Sequence, residues 1–373
     1  MGSRVCAFTD TYLPTVNGVT YTVKTWREAW NADGGRMDVV YPDAEAHEPA
    51  SGEHPVPSVR FPFYDGYRLG VPTLPQSLNG VDVVHAHTPF SLGLAALRLV
   101  RQTGRPLVTS FHTPADEYTP YLAGVGPVAS GLSAVSRRYE RWFFEHADAV
   151  IAPSQTAATD LRSDIGVTSE IRIVSNGVDL DFFCPVDGDE FRRAHDLPMG
   201  PLIGYTGRHG YEKRLADLLQ AVSRGDDDWT VVFGGGGPAT ADLEALAADL
   251  GVDARFLGFL DRSDLPAFYS AIDVFAFPSP VETQGLVALE AMACATPVVG
   301  VAAGALRETL EDGVTGLHYP EGDLKAFADR LRRALEDRDD LAEACLDRRA
   351  SLGIERSMDQ LEAVYAEVLD GNR

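Results

Sequence analysis

Apolar residues along the chain gather into short runs closed by Gly, Pro or Asn, and most runs precede a stretch where apolar positions recur every three or four residues. In the first half the runs are Arg4–Phe8, Met37–Tyr41, Val81–His85, Leu107–Phe111, Ala149–Ala152 and Ile171–Val174. In the second they are Pro201–Thr206, Thr230–Phe233, Arg255–Leu260, Ala271–Phe277 and Pro297–Gly300. Helical periodicity falls on Tyr21–Trp30, Leu92–Arg101, Ser133–His146, Leu215–Val222, Leu286–Ala293, Leu324–Leu335 and Met358–Leu369. The runs are continuous rather than alternating, as expected of strands buried on both faces of a parallel sheet. The pattern predicts an α/β chain of two parallel-sheet halves, residues 1–184 and 201–350. A polar, proline-bounded stretch, 185–200, is expected to link them, and the last helix, within 351–373, to cross back to the first domain.

Chemistry-bearing residues cluster where these strands end. Phe277-Pro-Ser-Pro-Val-Glu282-Thr-Gln-Gly285 leads from a strand into a helix that carries Glu290. Free N–H groups and the dipole at such a helix start favour an anion, and the two carboxylates suit the hydroxyls of a sugar or ribose. An ordinary crossover with acidic surface residues is the alternative. Arg208 and Lys213 flank another helix start and would embrace a diphosphate, unless they are plain surface charges. Asn17-Gly18 offers a backbone capable of positive φ before a helix, or a simple turn. Asp10, His87 and His112 all reach one sheet edge, although a satisfied structural histidine accounts for His112 equally well. His85-x-His87 lacks a third ligand at sensible spacing, so no metal site is expected. Gly234–Gly237 lacks the dinucleotide spacing, and Asp226-Asp-Asp228 precedes its strand, which makes it a solvated turn. Ser133–His146 is expected to bury Val135, Tyr139, Trp142 and Phe143 and to expose Arg137, Arg138 and Arg141; the other reading lays it on anionic lipid.

Composition narrows the classes. The 373 residues are 45% hydrophobic and carry 55 acidic against 32 basic side chains, a net charge of −23. That excess of acid excludes a nucleic-acid partner, which needs clustered Lys and Arg. Lys24, Lys213 and Lys325 are the only lysines. A dense carboxylate surface with arginine in place of lysine fits a halophile's salt-rich interior. Cys6, Cys184, Cys294 and Cys345 have no paired spacing, in keeping with a reduced cytoplasm. No signal peptide is expected, and the uncharged run Tyr118–Ser136 is too broken by Pro120, Gly124, Gly126 and Pro127 to span a membrane.

Taken together, Gly207-Arg208 with Glu212-Lys213, Phe256-Leu-Gly-Phe259, Pro278-Ser with Glu282-x7-Glu290-Ala-Met-Ala, Thr296-Pro-Val-Val, Gly304 with Glu308, and Asp312-Gly-Val-Thr-Gly-Leu317 resemble the retaining glycosyltransferases of family 4, which have the GT-B fold. Asp10-Thr-Tyr-Leu-Pro-Thr-Val-Asn-Gly-Val, Phe61-Pro-Phe-Tyr-Asp-Gly-Tyr-Arg68, His85-Ala-His-Thr-Pro-Phe and Ser110-Phe-His-Thr with Tyr118 and Tyr121 resemble the branch that puts sugars on membrane lipids, among them diacylglycerol glucosyltransferases, sulfoquinovosyltransferases and phosphatidylinositol mannosyltransferases. The resemblance implies two Rossmann-like domains facing across a cleft, and a hexosyltransferase with no tightly bound cofactor and no metal. Arg208 and Lys213 would bind the donor diphosphate, Glu282 the sugar hydroxyls and Glu290 the ribose. Gln284, Gly285, Leu286 and Val287 would meet sugar and phosphate, with Phe259 alongside. His112 would lie against the transferred sugar, and Gly18 would let the first loop close on the phosphates. The donor is expected to be a nucleotide sugar, a UDP-hexose before GDP-mannose, and the acceptor a lipid or glycan, with the protein cytoplasmic and in peripheral contact with the inner face of the membrane. The rivals are a transferase for polyprenyl-linked or soluble glycans, an epimerase of the same fold, and a nucleotide-sugar-binding module without activity. The chain departs from the family where it has Asn17 before Gly18, Gln284 before Gly285, and Ala295 in place of a glycine before Thr296-Pro297, which would deny that helix its left-handed cap.

If the acidic surface is a halophile's, unfolding midpoints should rise steeply with KCl toward molar concentrations; full stability in dilute buffer would refute that reading.

Overall fold

The computed structural model describes residues 2–60, 68–75, 78, 80–112, 127–225 and 227–371, without the side chains of 127–133. Phe61–Tyr67, Tyr118, Tyr121 and Asp226, singled out above, lie outside them. The chain divides into two compact units, one of Met1–Asn176 with Ile354–Arg373 and one of Gly177–Gly353.

Unit 1 holds a parallel sheet of β1 (Arg4–Phe8), β2 (Arg36–Pro42), β3 (Glu53–Val56), β6 (Val83–Ala86), β7 (Leu107–Ser110), β8 (Ala149–Ala152) and β9 (Ile171–Ile173), with a small antiparallel pair, β4 (Ser58–Arg60) and β5 (Arg68–Gly70), apart from it. The order is β3-β2-β1-β6-β7-β8-β9. Alternate residues of β1 enter opposite cores: Cys6 and Phe8 join Leu92, Ala96 and Phe143, while Val5 and Ala7 join Trp26, Leu361 and Tyr365. Both faces are therefore covered, which is why the strand reads as an unbroken apolar run. The helix Ile354–Gly371 belongs to this unit.

Unit 2 has β10 (Leu202–Arg208), β11 (Thr230–Gly236), β12 (Ala254–Gly258), β13 (Val274–Phe277), β14 (Val298–Val301) and β15 (Gly316–Tyr319), ordered β12-β11-β10-β13-β14-β15. Residues 185–200, expected as a linker, form part of this unit. They carry the helix Asp189–Ala194, and Phe191 and Leu197 sit in the unit's core. The buried Arg192 ties the segment down, donating to the Ala271 carbonyl at 2.7 Å and to Asp273 at 3.0 Å. Its exposed Asp187, Glu190 and Arg193 gave the stretch its polar look.

The helix Pro127–Phe144 differs from expectation on one face. Phe143 and Phe144 are buried, but Val135 is 65% and Trp142 is 41% exposed, beside the exposed Arg138 and Arg141. No helix among the described residues is long and apolar enough to cross a membrane.

Ala295 overturns the expectation of a missing cap. It adopts φ +61°, its N–H bonds the Met292 carbonyl at 3.0 Å, and that of Thr296 bonds the Ala291 carbonyl at 2.9 Å. The helix Leu286–Ala293 thus ends in a full Schellman motif with alanine at the left-handed position. A Cβ there costs about 1–2 kcal/mol, only part of which glycine's extra unfolded-state entropy would offset. Ala295→Gly should therefore stabilise the protein by about 0.5–1 kcal/mol, read from urea unfolding midpoints.

Candidate active site

In each sheet the strand order reverses beside the first strand of the unit, so neighbouring crossovers leave toward opposite faces and a crevice opens at the carboxyl ends. In unit 2 the reversal lies between β10 and β13.

The chain beyond β10 is shaped by its backbone. Gly207 has φ +137°, and a Cβ there would lie 3.1 Å from the Tyr205 hydroxyl oxygen. A short 3₁₀ turn, Tyr211–Lys213, then closes with the Lys213 N–H on the Gly210 carbonyl at 3.1 Å, before Arg214 at φ +53° opens the helix Leu215–Val222. Arg208 stands 3.7 Å from Glu212, and Lys213 Nζ donates to Glu282 Oε1 at 2.7 Å. This last bond spans the two loops on either side of the reversal.

The loop beyond β13 is held from behind. Ala305 N–H bonds the Glu282 carbonyl at 3.1 Å, and Gly304, at φ +52°, comes so near that a Cβ would lie 2.7 Å from the Pro280 carbonyl oxygen. Thr309 donates to the Gln284 carbonyl at 2.7 Å. Gly285, at φ +82°, turns the chain into the helix Leu286–Ala293, which starts without a side-chain cap. Its first amides, at Leu286 and Val287, lie at the positive end of the helix dipole.

Glu290 is buried, with Oε2 accepting from the Tyr269 hydroxyl at 2.8 Å and Oε1 3.9 Å from Arg262. Burial pushes its pKa up to about 7, against the pull of Arg262 and the Tyr269 hydrogen bond. Phe259 follows β12 and is 66% exposed. The strands β11 and β10 separate β12 from β13, while Arg262, shortly after β12, reaches Glu290. The glycine run after β11 has a steric purpose. A Cβ on Gly235 would fall 2.0 Å from the Gly207 carbonyl oxygen, and one on Gly237 2.7 Å from that of His209.

In unit 1 the reversal lies between β1 and β6. Asp10, just beyond β1, is buried and accepts from Thr88 Oγ1 at 2.7 Å, Ser91 Oγ at 2.6 Å and the Leu92 N–H at 3.2 Å. Burial raises its pKa, while those donors lower it. It caps the helix Ser91–Thr103 from another strand, a structural assignment. Asn17, with φ −160°, caps the helix Gly18–Ala32 by accepting from the Thr20 N–H at 2.9 Å. Neither Asn17 nor Gly18 has positive φ, so the backbone freedom expected there is not used, and a Cβ on Gly18 would meet nothing within 4 Å.

Three histidines form a file. His85 bonds Tyr365 Oη at 2.7 Å and Ser110 Oγ at 2.8 Å, His87 stacks on it with centroids 4.0 Å apart, and His87 Nδ1 meets His112 Nε2 at 3.1 Å. Burial holds His85 down to about 3 and His112 down to about 4, and lowers His87 well below its usual value.

Comparison with known proteins fits this geometry. The model "Glycosyltransferase Family 4" matches residues 16–182 and "Glycosyl transferases group 1" matches 187–349. A GDP-mannose-dependent alpha-mannosyltransferase of Mycolicibacterium smegmatis is 31% identical over 84% of this chain and 84% of its own. The chain belongs to the family 4 glycosyltransferases. It is also 28% identical to alpha-monoglucosyldiacylglycerol synthase of Streptococcus pneumoniae, over 86% of this chain and 76% of that one. With sulfoquinovosyl transferase SQD2 of Arabidopsis thaliana it shares 31% over 74% of this chain, spanning 55% of that protein. Sucrose-phosphate synthase of Thermosynechococcus elongatus superposes at TM-score 0.81 with 22% identity, covering 99% of this chain and 100% of that one. The Anabaena protein HepE, in complex with UDP and glucose, does so at 0.77 with 19% identity, covering 98% and 100%. These likenesses show the fold, two parallel-sheet α/β domains of the GT-B type.

Within this family 4 chain, the sequence marked Lys213 and Glu282 singly but not the bond between them. Tyr269 and Arg262, which surround Glu290, carried no signal, since both are ordinary residues of unremarked segments. The His87–His112 contact was hinted at only by two strand ends.

An unfolded glutamate ionises near 4.5 and Glu290 near 7, so its contribution to stability is full below pH 4.5 and lost as pH rises to 7. The loss is on the order of 3 kcal/mol at pH 8. Glu290→Gln should therefore raise Tm relative to the parent more at pH 8 than at pH 5, by calorimetry; an equal difference at both would refute the buried-acid assignment.

Proposed function

We propose that this protein transfers a hexose from a nucleoside diphosphate sugar to a membrane lipid, with retention of anomeric configuration and without a metal ion. The observation that carries the reading is the 2.7 Å bond between Lys213 and Glu282 across the reversal of strand order. An ammonium and a carboxylate held together there are complementary to a ligand that is anionic at one end and rich in hydroxyls at the other. A diphosphate competes for Lys213 and for Arg208, which stabilise the charge that grows on the leaving group. The hexose hydroxyls take Glu282. The Gln284–Val287 backbone receives sugar and phosphate at the helix start, Glu290 the ribose, and Phe259 the exposed side of the nucleotide. His112 is assigned to the transferred sugar, and Gly18 to the approach of the first loop to the phosphates. The acceptor's proton goes to a donor phosphate oxygen in this scheme, so no protein base is assigned.

A lipid acceptor draws support from the relative named for monoglucosyldiacylglycerol and from the exposed Val135 and Trp142 beside Arg138 and Arg141, a surface suited to anionic headgroups. In this reading the protein makes peripheral contact with the inner face of the cell membrane. A UDP-hexose is the donor proposed first. GDP-mannose is the second reading, favoured by relatives named for that donor, and soluble acceptors enter through the 2-deoxystreptamine glucosyltransferase of Streptomyces kanamyceticus, 33% identical over 53% of this chain.

Incubation of the purified protein and a membrane extract with radiolabelled UDP-glucose, UDP-galactose or GDP-mannose should move label from a UDP-hexose into an organic-soluble product. Lys213→Ala and Glu282→Ala should each lower that transfer by about 10²–10³-fold with circular dichroism unchanged. Label left in the aqueous phase for all three donors would overturn the lipid reading, and normal turnover in either variant the site assignment.

A further inference from the structure

Between His87 Nδ1 and His112 Nε2, 3.1 Å apart, one hydrogen bond needs one proton, and either ring can supply it. Burial keeps both rings neutral near pH 7, so each carries a single N–H. The far nitrogen of His87 decides between the two arrangements. Its Nε2 is buried without a hydrogen-bond partner among the described residues. The ring cannot turn to find one: it is stacked on His85 at 4.0 Å, stacked on His112 at 5.4 Å and abutted by Trp26 at 5.8 Å. His85 is itself fixed by Tyr365 and Ser110. Of the two, a lone pair at that nitrogen is favoured, because a buried N–H without an acceptor is the rarer defect in folded proteins.

We propose that His87 is a positioning residue, which carries its proton on Nδ1, donates it to His112 Nε2, and so fixes His112 as the tautomer protonated on Nδ1. The nitrogen of His112 turned away from His87 is then a donor. Taken with the hexosyl-transfer reading, on which this consequence rests, His112 gives a hydrogen bond to an oxygen of the transferred hexose and has no lone pair left for use as a base.

Protein labelled with 15N-histidine tests the assignment directly at pH 7, with His112 identified by the signals that vanish in His112→Asn. The expected spectrum has His112 Nδ1 protonated and Nε2 unprotonated, and in His87→Phe that pattern is lost. His87→Phe should lower kcat by about tenfold or more at unchanged KM for the nucleotide sugar, the worth of one charge-free hydrogen bond. His87→Asn, whose amide nitrogen stands where Nδ1 stood, should keep kcat within about threefold of the parent. A parent His112 protonated on Nε2, as would follow if the His87 N–H faced the Trp26 ring, overturns the proposal. Parent protein with the expected spectrum but no transfer of any hexose removes the functional reading and leaves the tautomer assignment standing.

Discussion

The reversal of strand order is the constraint on which the rest depends. Parallel strands joined by right-handed crossovers leave a gap only where successive crossovers go to opposite faces. In unit 2 that gap falls between β10 and β13, and in unit 1 between β1 and β6. The loops that border a gap gather polar side chains at the carboxyl edge of the sheet. Lys213, Glu282 and Arg208 stand on such loops in one unit, and Asp10 and His87 in the other.

The two gaps are furnished differently. The one in unit 2 holds an ion pair that is partly open, whereas the one in unit 1 is lined by a buried carboxylate bonded to hydroxyls and an amide, and by imidazoles kept neutral. Charge on unit 2 and neutral donors and acceptors on unit 1 is the division expected if the first binds the anionic part of a donor.

Much of this could be read from the residues alone. Apart from β3 and β15, the strands of the two main sheets lie on the apolar runs, as strands covered on both faces do, and Arg208, Lys213 and Glu282 were legible as charges beside glycine turns. What could not be read was set by tertiary contacts. Nothing local tells that Phe191 and Leu197 are core residues while the charges between them are not, or that Trp142 faces outward while Phe143 faces inward. The pairing of Lys213 with Glu282 joins positions 69 apart, and no periodicity records it. Ala295 shows a converse limit: the residue type argued against a left-handed cap, and the flanking hydrogen bonds imposed one regardless.

The helix Ile354–Gly371 has a consequence for how the chain comes off the ribosome. Leu361 and Tyr365 complete a core whose other members end near Val174, and between them lies the whole of Gly177–Gly353. At about 5–20 residues per second, that intervening stretch takes roughly 10–35 seconds to synthesise. Through that interval one face of the first sheet, with Trp26, Trp30 and His85, stands without its last layer, while the second unit acquires every residue of its own core. A chaperone that screens nascent chains for uncovered aromatic surface would therefore meet this protein at its earlier half, which is made first and finished last.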